Sequence, residues 1–263
     1  SNLHSLHYLL PIIPRVIISG PSGFLGSRVV SALLEVHSLR MKHGLDPGEL
    51  ILLSSSPGRL MERLTMHTKP EHMQNVRATR VNFFTQHDKE TWIDQLGALG
   101  TTGKDSVFVN LAAVAGPIPD KPDAMMDVNY HALISAASAC DELKFGHFIQ
   151  SSTQATKAER SGQVPYAKHK AMGDYALARR FDMPVTIASL SLLYCREDVS
   201  VGQDKDKLRL SSPVKLNMID LSLLPLTPIM GTGDAPLQPQ EVSDAARRIA
   251  FLALSDPASR PVQ

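Results

Sequence analysis

The sequence predicts an α/β fold, a doubly wound parallel sheet with a small C-terminal excursion, on three observations. The apolar run Val16-Ile17-Ile18 passes through Ser19 into a glycine-rich turn, and an apolar-periodic stretch follows at once. Short, near-continuous apolar segments then alternate with segments whose apolar residues recur at helical spacing. Apolar strands set between helices imply a parallel sheet covered on both faces. Finally, the small and polar residues Gly20, Ser54, Ala112 and Thr153 fall where those strands end, the carboxyl edge at which such sheets take ligands.

Each element has its own signal. The first strand is Arg15–Ser19, and the helix after it carries Leu25, Val29, Val30, Leu33 and Leu34 on one face. The stretch Lys42-His43-Gly44-Leu45-Asp46-Pro47-Gly48 breaks that helix. A second strand, Glu49–Leu53, runs into Ser54-Ser55-Ser56-Pro57-Gly58-Arg59, and a third near Arg77–Phe83 precedes a helix over Lys89–Leu96. The fourth strand, Ser106–Leu111, is almost wholly apolar and ends in small residues. A helix over Ala124–Leu143 leads to a fifth strand, His147–Gln150, which ends in Ser151-Ser152-Thr153. A long helix, Tyr166–Phe181, and a sixth strand, Val185–Leu190, follow. From Val199 to Gln240 the chain turns rich in Asp, Lys, Leu and Pro, an excursion with a short helix or two. A last helix, Val242–Leu254, sets Val242, Ala245, Ala246, Ile249 and Leu252 or Ala253 on one side. The expected organisation is a sheet domain over 1–198, the excursion over 199–240, and a C-terminal helix within 241–263 packing back.

Composition bounds the function. The 263 residues are 43% hydrophobic and 20% charged, which fits one α/β domain with a core that needs no staples. A formal net charge of +1 gives no field for nucleic acid. Cys140 and Cys195 form no metal or disulfide spacing, and His4-x-x-His7 has no carboxylate or cysteine nearby, so no metal site is expected. Asp204-Lys205-Asp206-Lys207 reads as a solvated loop and Met125-Met126 as core. No apolar run reaches membrane-span length. The apolar stretch Leu216–Met230, broken by Pro225 and Pro228, is either a flap facing lipid or a partner, allowing peripheral membrane association, or a cap over the site. The start at Ser1 fits a removed presequence or a trimmed chain.

The turn Gly20-Pro21-Ser22-Gly23-Phe24-Leu25-Gly26 carries the ligand signal. Strand, glycine turn and helix in this order let backbone N–H groups approach a pyrophosphate, with the helix N-terminus adding partial positive charge. Dinucleotide binding follows, with Gly20, Ser22, Gly23, Phe24, Leu25 and Gly26 as contacts. At the end of the second strand, where NAD binders usually carry an acid, this chain has Ser54, with Ser55, Ser56 and Arg59 after it. Hydroxyls and a guanidinium suit a 2′-phosphate, so NADP(H) is favoured over NAD(H).

Tyr166 and Lys170 lie four apart on one helix face. An ammonium beside a phenol favours phenolate, and such a tyrosine can pass a proton to or from a substrate oxygen while hydride moves. Taken in order, Gly20-x-x-Gly23-x-x-Gly26, Asn110-Leu111-Ala112-Ala113, Asn129, Ser151-Ser152-Thr153 and Tyr166-x-x-x-Lys170 resemble the extended short-chain dehydrogenases/reductases, which have a Rossmann fold. The resemblance spans Arg15 to Leu254. It implies Thr153, Tyr166 and Lys170 as catalytic residues. It also implies Leu111, Ala112, Ala113, Asn129, Ser151, Tyr166 and Lys170 beside the cofactor, with Lys170 on the nicotinamide ribose and Thr153 on the substrate oxygen.

The segments Leu224–Asp234 and Leu237–Ala246 resemble an atypical branch that contains the nucleotide-binding accessory subunit of mitochondrial complex I. That narrower likeness implies other subunits of a large mitochondrial complex as partners and a place on the matrix side. The alternative is a cytoplasmic, active NAD(P)-dependent oxidoreductase or epimerase acting on a small carbonyl or sugar-like substrate. Two departures lean towards the accessory role. Ser189-Leu190-Ser191 stands where the family usually ends a strand in Arg-Pro-Gly, and Thr153 and Tyr166 are 13 positions apart, a connection shorter than extended members have.

Overall fold

A computed structural model of the chain describes residues 14–157, 164–191, 193–194 and 240–255. Six strands form one all-parallel sheet: β1 (Arg15–Ser19), β2 (Leu50–Ser54), β3 (Val76–Arg80), β4 (Ser106–Asn110), β5 (His147–Thr153) and β6 (Val185–Leu190), in the spatial order β3-β2-β1-β4-β5-β6. The chain starts in the middle, winds outward one way to β3, then crosses back to β4. That reversal between β1 and β4 opens a crevice at the carboxyl edge. A short parallel pair, β7 (Leu193–Tyr194) with β8 (Gln240–Glu241), lies beyond β6 in the chain.

Helices cover both faces because the strands are apolar on both. On one face Val16, Ile18, Leu50, Leu52, Val107, Val109 and Ile149 pack against α1 (Phe24–Lys42) and the C-terminal helix α7 (Val242–Leu254), through Val29, Val30, Leu33 and Leu34 of the first and Ala246, Ile249, Ala250 and Ala253 of the second. On the other, Ile17, Ile51, Leu53, Phe108 and Phe148 meet Trp92 and Leu96 of α3 (Lys89–Ala98) and Ala136, Ala137 and Cys140 of α5 (Leu133–Glu142). Leu177 of α6 (Pro165–Arg180) completes that layer. Phe108 stacks on Phe148 at 5.1 Å between ring centroids, and Trp92 meets Phe108 edge-on at 6.1 Å. Each such fully buried side chain contributes about 1.5–3 kcal/mol.

The first and sixth strands and the last helix fall where the periodicity puts them; other elements differ. α2 (Pro57–His67) starts with a proline in its first turn, inside the Ser-Pro-Gly stretch that resembles a loop. The helix expected over Ala124–Leu143 is three pieces: α4 (Ala124–Met126), a π-helical segment Asp127–Ala132, and α5. β5 runs on through Ser151–Thr153, because these residues pair with Ala188–Leu190 of β6. The excursion over 199–239, with Leu216–Met230, Asp204–Lys207 and the branch-specific segment Leu224–Asp234, lies outside the described residues, as do His4, His7 and Cys195. Among the described residues no helix is long and apolar enough to cross a membrane, and no group of His, Cys, Asp or Glu is placed to hold a metal ion.

α1 also buries His37, whose Nε2 has no hydrogen-bond partner. Burial, then the Arg40 guanidinium, lowers its pKa from 6.5 to about 4, with Asp46 opposing. The folded protein therefore refuses a proton that the unfolded chain accepts. The neutral-pH stability is complete above pH 6.5 and is lost as pH falls towards 4, by at most about 3 kcal/mol. His37→Leu should flatten the thermal midpoint across that window; an unchanged pH dependence would refute this assignment.

Candidate functional site

The glycine turn joins β1 to α1 at the crevice. Gly20 has φ +70°, and a Cβ there would lie 2.7 Å from the Ala112 backbone nitrogen. A Cβ on Gly26 would lie 2.0 Å from the Gly20 carbonyl oxygen, so this glycine lets the helix start pack on the turn. Gly23 differs. Its backbone is extended, and a Cβ would meet nothing nearer than the Gly20 oxygen at 3.4 Å. The room preserved at Gly23 is thus room outside the protein. α1 begins there without a side-chain cap and without an acid in its first turn, leaving its N–H groups and positive end open to an anion. These features fit a pyrophosphate. Ser22 and Gly23 are exposed, while Phe24 and Leu25 pack towards Leu193, Val242 and Ala245.

Behind the turn a row of buried polar groups crosses the sheet. Strand register sets Ser19 beside Asn110 and Asn110 beside Gln150. The Ser19 hydroxyl accepts from the N–H groups of Leu111 and Ala112, at 3.2 and 3.3 Å, and donates to Asn110 Oδ1. Asn110 Nδ2 donates to Gln150 Oε1 at 2.7 Å, and Gln150 Nε2 donates to the Ser151 carbonyl at 2.7 Å. The same carbonyl accepts from Lys170 Nζ at 2.9 Å. The row therefore ties the residue before the glycine turn to the lysine on α6. Leu111, Ala112 and Ala113 leave β4 over this row. Asn129, 1% exposed in the π-helical segment, holds the next turn of chain by accepting from Val114 N and donating to Val114 O, at 2.9 and 2.6 Å.

Tyr166, Lys170 and Asp174 share one face of α6. Lys170 is 1% exposed. Burial lowers its pKa to about 8, with the Asp174 carboxylate pulling the other way. Tyr166 is half-buried, and burial, reinforced by Asp174, raises its pKa to about 12. The expectation is that Lys170 makes the phenol more acidic; in the protein alone the shift runs the other way, set by burial and then by Asp174. Thr153, partly buried, ends β5, two residues past the carbonyl that holds Lys170. The Ser152 hydroxyl donates to Asp174 Oδ2.

At the end of β2, Ser54 is buried, and its hydroxyl accepts from the Ser56 N–H at 3.2 Å. It shapes the turn, while Ser55 and Arg59 are exposed at the start of α2, whose first turn has no acid. The register also brings Arg80, at the end of β3, beside Ser54. Sequence reasoning missed Arg80, Gln150 and Asp174. Polar residues at the matching ends of three apolar strands, and an acid four residues beyond Lys170, were the available signals. A cavity of about 430 Å³ lies elsewhere, on the opposite side of α6, lined by Tyr130, Lys168, Ala171, Met172 and Tyr175.

No protein-family model matches the sequence, and no curated protein does. Solved structures match the fold. The thiolation-reductase di-domain of an archaeal non-ribosomal peptide synthetase aligns with TM-score 0.65 and 16% identity over 97% of this chain and 57% of that one. A short-chain dehydrogenase/reductase of Serratia marcescens aligns with TM-score 0.62 and 14% identity over 94% and 93%. The UDP-glucuronic acid 4-epimerase of Bacillus cereus, in complex with UDP-glucuronic acid and NAD, aligns with TM-score 0.50 and 18% identity over 68% and 57%. The fold is Rossmann-like. The chain spans 55–57% of the length of the structures it matches first.

The last two glycines of the turn give opposite expectations. Gly26→Ala forces a side chain onto backbone and should destabilise the fold by about 1–3 kcal/mol, as overpacking does. Gly23→Ala should leave the thermal midpoint near that of the parent and act on anion binding at the turn instead. Equal midpoints for the two variants would contradict this division.

Proposed function

We propose that this chain binds a nicotinamide dinucleotide across the carboxyl edge of its sheet and acts as an oxidoreductase or epimerase of the short-chain dehydrogenase/reductase type, on a small carbonyl or sugar-like substrate. The observation that carries the reading is Lys170, a buried ammonium fixed on the Ser151 carbonyl one helical turn from Tyr166. Burying an ammonium is costly even when it is hydrogen-bonded, and a buried group with perturbed acidity at a sheet's carboxyl edge is a candidate for function. The fold-level likeness to reductases and an epimerase supports the same class.

The turn at Gly20, Ser22, Gly23 and Gly26 holds the pyrophosphate in this reading, with the N-terminus of α1 behind it. Leu111, Ala112 and Ala113 give close approach, and Asn129 keeps the following loop in place. Lys170 holds the nicotinamide ribose, Thr153 the substrate oxygen, and Tyr166 carries the proton. With its pKa raised to about 12, Tyr166 starts as a neutral phenol, the form that donates. Hydride transfer is the chemistry that the nicotinamide ring supplies when bound. NADP(H) is the favoured form: the end of β2 has no carboxylate to accept from a ribose, and the exposed Arg59 stands near it, with Arg80 on the adjoining strand end.

The short connection between Thr153 and Tyr166 favours a second reading, a nucleotide-stabilised accessory subunit of a mitochondrial complex. It draws on the resemblance of residues 224–246 and is weaker, because the compared structures are reductases and an epimerase. Tyr166→Phe separates the two. Under the enzyme reading, reductase turnover with NADPH over a panel of small carbonyls should fall about 10²–10⁴-fold, the worth of general acid–base catalysis, with nucleotide affinity nearly unchanged. Equal turnover by parent and variant would sink it. For the cofactor form, Arg59→Ala should weaken NADP⁺ binding at least several-fold and leave NAD⁺ binding alone; parallel losses for both would remove the basis for NADP(H).

A further inference from the structure

We propose that Asp174 is a positioning residue of this site, seating α6 on the end of β5 through Ser152 and supplying the counter-charge to the buried Lys170 ammonium. Tyr166, Lys170 and Asp174 follow one another at four-residue steps along α6, so one stripe of the helix presents phenol, ammonium and carboxylate. Two adjacent residues of β5 receive that stripe. Ser151 offers its carbonyl to Lys170 Nζ at 2.9 Å, and Ser152 donates its hydroxyl to Asp174 Oδ2. The strand and the helix are therefore gripped at two points one turn apart, which fixes both the depth and the rotation of α6 and so the place of Tyr166.

Among the described residues, the charge role falls to Asp174. Lys170 is 1% exposed. Facing it, β5 offers the neutral Ser151, Ser152 and Thr153. In the packed π-helical segment, Asn129 is neutral and bonded to Val114, while Asp127 and His131 turn to His87. On α6 itself the titratable neighbours besides Asp174 are Tyr166, the exposed Lys168 and His169, whose pKa is lowered by burial and then by Lys168. The Asp174 carboxylate opposes the burial that would neutralise Lys170, and the same charge holds the Tyr166 proton on. The acid thus favours the ammonium against burial and adds to the burial that keeps the phenol neutral.

The inference rests on the dinucleotide reading for its purpose but not for its test. Titration of Lys170 in the ligand-free protein by NMR, at its side-chain Nζ and Cε, measures the charge role directly. Asp174→Asn keeps an acceptor for Ser152 and removes the charge. We expect its Lys170 midpoint about one pH unit below that of the parent, on the scale of a close opposite charge, and NADP⁺ affinity lowered more at pH 8 than at pH 6. Asp174→Glu should restore most of the shift. Ser152→Ala removes the grip and keeps the charge, so it should lower the thermal midpoint with the Lys170 midpoint near that of the parent. An Asp174→Asn midpoint equal to the parent's, or a Ser152→Ala drop as large as that of Asp174→Asn, overturns the proposal. If Asp174→Asn does not fold, Ser152→Ala is read against the parent alone: the charge is still there, so a Lys170 midpoint about one pH unit below the parent's overturns the proposal. A parent that binds neither NADP⁺ nor NAD⁺ overturns the functional reading, while a shifted Lys170 midpoint in the same protein upholds Asp174.

Discussion

The row of hydrogen bonds from Ser19 through Asn110 and Gln150 to the Ser151 carbonyl and Lys170 is the constraint on which the rest of the edge depends. β1, β4 and β5 are central strands covered on both faces, the place where an unpaired polar group costs about 1–3 kcal/mol. Here three polar side chains occupy one register line and each finds a partner. Satisfied in this way, the row ties three strand ends together. A slip of one strand by a single residue would send its member to the opposite face and leave its neighbours unpaired. The glycine turn at one end and Lys170 at the other are consequently held in one frame, although 150 residues of chain separate Gly20 from Lys170.

That frame explains the division of labour on α6. The far side of the helix bears Lys168 and Tyr175 beside a shallow cavity, while the near side carries every group with perturbed acidity that the proposed chemistry uses. The two perturbations have one origin in burial and opposite directions, because burial penalises whichever form is charged. Lys170 is pushed towards neutrality and Tyr166 away from phenolate. Left to burial alone, the lysine would be a poor cation and the tyrosine a reluctant acid, and the local carboxylate shifts both in the same direction.

Much of the fold was legible in the sequence, and the reasons are local. β1, β6 and α7 have a strong apolar pattern and clear breakers, and their ends fall where periodicity puts them. From composition β5 ends at Gln150, because Ser151-Ser152-Thr153 have the make-up of a turn; pairing with Ala188, Ser189 and Leu190 makes them strand, and pairing is not a local property. α2 was hidden by Ser-Pro-Gly, which marks a loop as readily as a helix start. At the site, Gly20, Tyr166 and Lys170 stood out because they form a spaced motif. Gln150 and Asp174 did not, since each gains meaning only from a partner on another element, Asn110 for one and Ser152 for the other.

The π-helical segment has a consequence for how this chain can vary. A π turn holds one residue more than an α-turn needs, and here the surplus lies between Asn129, which clasps Val114, and Leu133, whose helix continues into the core with Ala136, Ala137 and Cys140. Each helical residue adds about 100° of rotation. Losing one residue from Asp127–Ala132 would restore an ordinary helix but could not keep both faces seated: either the asparagine leaves its loop or the alanine face leaves the sheet. What is fixed in this stretch is its length rather than its spelling, so substitutions at the outward-facing positions can accumulate while a single insertion or deletion cannot.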